Sequence, residues 1–174
     1  MRNNLENQLQ IAINHNDFDI NYHNGIAKNH WGQEYSVNIE RTDSCFDLSS
    51  VSIPNRDIIL KEPCELISHN DPGIQMAQTL AHELGHTDVY PASLAILLTL
   101  GLIGTGIAIK NKCPKTFGYT AMAVLGYKMI IDEILAEVAA TKFHGASFNN
   151  YMSTKGTFDF LDTISGLFWN PHKL

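Results

Sequence analysis

The chain is short of cysteine and of positive charge, and each shortage removes a class of protein. Only three cysteines, Cys45, Cys64 and Cys113, occur in 174 residues. They are scattered, odd in number and form no C-x-x-C pair. That excludes a disulfide framework or a cysteine-built zinc knuckle and predicts reduced thiols in an intracellular protein. Twelve Lys and Arg stand against 18 Asp and Glu, a net charge of −6, so the electrostatic footprint of a nucleic-acid binder is missing. The first residues, Met1-Arg2-Asn3-Asn4-Leu5-Glu6, are polar and lack the apolar run of a signal peptide. The expectation is a location inside the cell, in the cytoplasm or on a membrane, with that choice open.

Charge is also missing locally. Residues 1–91 carry 5 basic and 13 acidic side chains, a balance of −8, and residues 92–174 carry 7 and 5, a balance of +2. Within the second half, residues 92–109 form an 18-residue run with no charge at all. Lys110, Lys112, Pro114 and Lys115 then make a basic turn, and Phe117 to Ile131 is apolar again, broken only by Lys128. This pattern predicts a helical hairpin over 92–131, long enough at the margin to enter a bilayer. Small residues at Gly101, Gly104, Ala108, Gly118, Ala121 and Gly126 would let two helices approach closely, in lipid or in a protein core. A bilayer, the protein's own core and a homo-oligomer contact all remain open as what covers it. A basic turn tends to stay cytoplasmic, which for a full crossing would place the preceding helix outside, against the cysteine reading. A shallow insertion reconciles the two.

The rest of the chain predicts a predominantly helical α+β fold in a single domain. Residues 1–34 read as an N-terminal helix, with Leu5, Leu9 and Ile13 on one side, followed by an Asn-, Asp-, His- and Gly-rich loop whose His15, His23 and His30 are solvated. Residues 35–61 read as a small antiparallel sheet. Tyr35 to Glu40 alternates apolar and polar, Val51-Ser52-Ile53 is a second short strand, and Asp57 to Lys61 a third, taken as an edge along which an extended peptide could pair. Asp71 as N-cap and Pro72 at the first helical position begin a helix over 71–90 that Pro91 should end. Residues 132–144 form a further helix. In the tail, 145–174, Thr157 to Phe168 reads as a last amphipathic helix.

The helix over 71–90 carries His82-Glu83-Leu84-Gly85-His86. Residues i and i+4 share a helix face, so both imidazoles can address one ion. Two neutral imidazoles with a free carboxylate beside them suit Zn2+, with Glu83 as base for a water on the metal. Apolar neighbours (Ile74, Met76, Ala77, Leu80, Ala81, Leu84) argue against incidental surface histidines, because buried polar groups need partners. A catalytic zinc usually takes a third protein ligand. The extended motif HExxHxxGxxH is absent, since Val89 and Ala92 occupy its glycine and third histidine places, and Asp88 lies too close to His86. That leaves Glu133 or Glu137, four apart on one face just after the hairpin.

The pairing of His82-Glu83-Leu84-Gly85-His86 with a later Glu-x-x-Ala-polar segment resembles the gluzincin-type metallopeptidases, and most nearly small bacterial families related to the heat-shock and CAAX-processing membrane proteases. The resemblance covers roughly residues 55–145. It implies zinc held by His82, His86 and a downstream glutamate. In one register Glu133 is the ligand, Ala136 takes the small position, and Glu137 orients a ligand histidine, where such families often carry Asp, Asn or Ser. In the other, Glu137 is the ligand, followed by Ala140 and Thr141. The first register is favoured. The implied activity is a zinc endopeptidase acting on a peptide or protein substrate, with Glu83 as general base. An oxyanion donor is also expected; His144, Tyr151 and Tyr127 are the candidates nearby in sequence, and His144 reads more simply as a surface histidine after the helix. Two other functions remain open: a non-catalytic zinc-site protein, and a membrane-surface or interaction module built on the hairpin.

Overall fold

The computed structural model describes residues 2–16, 18–41, 49–62, 71–112 and 114–144. The predicted helix Thr157 to Phe168, Tyr151 and all three cysteines lie outside these residues.

The fold is α+β and mostly helical, with a five-stranded sheet ahead of a long helix. Helix α1 spans Arg2–His15 and buries Leu5, Leu9, Ala12 and Ile13. Strands β1 (Asn21–His23) and β2 (Ile26–Lys28) follow, where the composition reads as loop. The signal for them was present: Asn24 and Gly25 have φ of 50° and 77°, the two positive values that a tight hairpin turn demands and that Asn-Gly supplies. Strand β3 (Glu34–Glu40) buries Tyr35, Val37 and Ile39 in strict alternation.

The sheet departs from expectation in two ways. Its order is β1-β2-β3-β5-β4, with β4 at Ser50–Ser52 and β5 at Asp57–Lys61, and β3 pairs with β5 in parallel. It is therefore mixed rather than antiparallel. Strand β5 is also not an edge. It lies between β3 and β4, bonded on both sides, so an extended substrate cannot pair along it.

Helix α2 runs from Pro72 to Asn111, 40 residues, about 60 Å at 1.5 Å per residue. Asp71 caps it, its Oδ1 accepting from the backbone N–H of Gly73 at 2.7 Å and of Ile74 at 3.3 Å. The expected stop at Pro91 does not occur, and the helix passes straight through. Proline forfeits one backbone hydrogen bond, but its fixed φ is a helical value. Just beyond it, the Ser93 hydroxyl is tied into the protein by Asp132. Lys112 closes the helix in the left-handed conformation, φ 50°, its N–H reaching the Ala108 and Ile109 carbonyls.

Helix α3 (Pro114–Gly126) folds back along the second half of α2, and a π-helical turn (Tyr127–Ile131) leads into α4 (Asp132–Ala140). The core joins α1, the inner sheet face (Val37, Ile58, Leu60), the first half of α2 (Met76, Leu80, Leu84) and Phe143. It stops there. Beyond Ser93, α2 and α3 leave most of their large apolar side chains exposed.

Candidate metal centre

The site forms where α4 crosses the first half of α2. The crossing is close because Gly85 has no side chain: a Cβ there would overlap the Ala136 carbonyl oxygen and press on the Ala140 amide. Ala136 and Ala140 are fully buried against it. The glycine of the histidine motif and the small residues of α4 thus bring two backbones together, and His82 and His86 of α2 meet Glu133 and Glu137 of α4.

At that meeting His82, His86 and Glu133 converge. The Nε2 atoms of His82 and His86 are 3.2 Å apart, and Glu133 Oε2 lies 3.2 Å from the first and 3.5 Å from the second. Tetrahedral ligands about 2.0–2.2 Å from a zinc ion would sit roughly 3.3–3.6 Å from one another. The three atoms therefore already have the mutual spacing of one face of a coordination tetrahedron, and the group could hold a metal ion.

The remaining ring nitrogens face other carboxylates. Glu137 Oε1 is 3.0 Å from His82 Nδ1, and Asp132 Oδ2 is 3.7 Å from His86 Nδ1. A carboxylate behind Nδ1 favours the proton there and leaves the Nε2 lone pair for a metal. Glu133 and Glu137 thus occupy different places: the first faces both Nε2 atoms, the second stands behind one ring. Asp132 is the residue that the sequence pattern did not single out. Its carboxylate is 4% exposed, accepts from Ser93 Oγ at 2.5 Å, and pairs with Lys128. Only the i,i+4 spacing of Lys128 and Asp132 hinted at this arrangement, and nothing local announces Ser93.

With a proton on Nε2, His82 and then His86 donate to Glu133 and hold its carboxyl well below the usual carboxylate range despite partial burial; a metal ion would take the place of those protons. The carboxyl is ionised at neutral pH, as a metal ligand must be. Its side chain is 48% exposed, against 14% for Glu137, so the group opens to solvent on the Glu133 side. Glu83, next to His82 on the same helix, is buried.

The other candidate residues of the sequence fall elsewhere. His144 is not a surface histidine but is buried, its ring 4.6 Å from that of Phe18. Tyr127, in the π-helical turn, has a buried hydroxyl. His30 is not merely solvated: its Nδ1 sits 2.9 Å from Asp88 Oδ2 and fastens the β2–β3 connection to α2. Neither a family model, a curated protein nor a solved structure matches the chain, so a functional reading rests on the geometry of this site.

Proposed function

We propose that this protein is a zinc-dependent peptide hydrolase of the gluzincin type, with His82, His86 and Glu133 as metal ligands. The observation that carries the reading is the 3.2–3.5 Å triangle of Nε2, Nε2 and Oε2 beside a buried glutamate at the second place of the motif. Zinc held there would supply Lewis acidity, lowering the pKa of a water at its open position and polarising the substrate carbonyl. Glu83 accepts the proton of the attacking water and delivers it to the departing amine. Glu137, 3.0 Å from His82 Nδ1, favours the ring tautomer that presents Nε2, while Asp132, at 3.7 Å from His86 Nδ1 and held by Ser93 and Lys128, adds only its negative charge behind that ring. The solvent-exposed side beside Glu133 is where a substrate would approach the group.

The test is a comparison of parent and Glu83→Gln for bound zinc and for cleavage of an unstructured polypeptide. The expected outcome is one zinc per chain in both and a loss of cleavage in the variant of about a hundredfold or more. Equal cleavage by both would remove Glu83 from the mechanism. Zinc binding without cleavage by the parent would leave a non-catalytic zinc protein.

A further inference from the structure

We propose that the paired helical segments 92–131 insert across a lipid bilayer and hold the metal centre at its surface. Only 17% of the most apolar 18-residue window of α2 is buried, so among the described residues the core covers little of this segment. The distribution of the exposed residues then decides between a second protein and lipid. At 3.6 residues per turn, Leu94, Leu98, Leu102 and Ile109 fall on one flank of α2, and Ile96, Ile103 and Ile107 on another, on the order of 150° away. Between these flanks, on the face turned from α3, stand Ala95, Thr99 and Gly106, all exposed.

The stripe that is covered lies against α3, where Gly104 abuts Thr120. On α3, Phe117, Met122 and Leu125 are likewise exposed. A docking helix or a second copy of the chain would cover one flank and leave the other in water. A hydrocarbon phase covers all of them.

Length and charge fix the depth. The uncharged run 92–109 is about 27 Å long as a helix, and the return, the 13 residues of α3 with the five of the π-helical turn, is of about the same length, against a hydrocarbon core of about 30 Å. Lys110, Lys112 and Lys115 cluster at the tip. A half-inserted hairpin would leave those ammonium groups in hydrocarbon, which is costly, whereas a full crossing delivers them to the far headgroups, where anionic lipid complements them. This replaces the shallow insertion expected from the sequence. By the positive-inside tendency it puts the basic tip in the cytoplasm and the metal centre on the opposite side, against the intracellular expectation drawn from the cysteines. At the near end, Lys128 is neutralised by Asp132, which Ser93 also holds. That cluster marks the level at which the chain returns to the polar side, and Asp132 is adjacent in sequence to Glu133. The metal centre accordingly lies at the near interface. If the peptide hydrolase reading holds, its substrates are polypeptide segments at or emerging from a membrane surface; insertion itself does not depend on that reading.

The full chain is mixed with vesicles of phosphatidylcholine and phosphatidylglycerol, floated, and washed with high salt and then alkaline carbonate. A Leu102→Asp/Ile103→Asp variant is compared. The two side chains are 74% and 56% exposed, so the fold tolerates both changes, and an unchanged circular dichroism spectrum in detergent reports that it has. The expected result is parent protein floating with vesicles through both washes, and a vesicle-bound fraction about tenfold or more lower for the variant. A parent that stays soluble as a monomer or dimer with vesicles present, release by salt alone, or equal flotation of the variant would each overturn the proposal. None of these readouts depends on peptide cleavage.

Discussion

Each site histidine carries a different burden on each of its ring nitrogens, and that difference yields the sharpest tests at single residues. Glu133 faces both Nε2 atoms, so Glu133→Ala should abolish stoichiometric zinc retention. Glu137 lies behind His82 Nδ1, so Glu137→Ala should weaken zinc by about 10–100-fold without abolishing it. Competition with a chromophoric chelator measures both. The reverse order would exchange the two roles. Glu133 stays ionised well into acid because its carboxyl is held well below the usual range. Ligand imidazoles must be neutral to bind metal, so acid should release zinc through the histidines and not through Glu133, and the same competition measured on acidification checks it. The i,i+4 histidines and the downstream glutamates were legible in the sequence because their spacing is local. The pairing of Asp132 with Ser93, 39 positions away, was not, since it exists only once α4 lies on α2.

At the scale of elements, the site depends on how closely and in what phase α4 meets α2. A methyl group at Gly85 would raise helix propensity by about 1 kcal/mol. Here it would drive the two backbones apart, so Gly85→Ala should instead lose about 1–3 kcal/mol in denaturant unfolding and weaken zinc binding with it. Phase is set by the π-helical turn, in which the Asp132 N–H reaches back to the Tyr127 carbonyl. Inserting one alanine after Ile131 adds an α-helical residue beyond that turn and should rotate α4 by about 100°, carrying Glu133 off the histidines. Circular dichroism would remain helical while zinc retention is lost; an insertion that keeps zinc would show that the phase of α4 does not set the site. Helix existence, the Asp71 cap and the alternation in β3 followed from pattern and capping chemistry. Passage of α2 through Pro91 and the parallel β3–β5 pair did not, because proline fits helical φ and because alternation fixes which face is buried but not which strand lies alongside.

For the whole molecule, the described fold divides the labour of the chain. α1, the sheet and the first half of α2 build the core, α4 closes on it, and the long apolar half of α2 leaves with α3. The metal group sits on the protein side of that division, so an ion bound there joins α2 to α4 and should stabilise the fold by linkage. Zinc at a hundred times its dissociation constant contributes about 2.7 kcal/mol, visible as a rise in Tm that Glu133→Ala abolishes and Leu102→Asp/Ile103→Asp leaves intact. The sequence identified the two halves of this plan, a histidine motif and an uncharged hairpin. It could not say what the hairpin packs against, since burial is a property of the assembled chain. The central claim is that Glu133 completes a zinc site begun by His82 and His86, and the most direct measurement is an anomalous-scattering structure of the zinc-loaded protein. The predicted result is a single ion about 2.0–2.2 Å from Nε2 of both histidines and from a Glu133 carboxylate oxygen. An ion bound by Glu137 in its place, or no ion retained with both histidines intact, would contradict it.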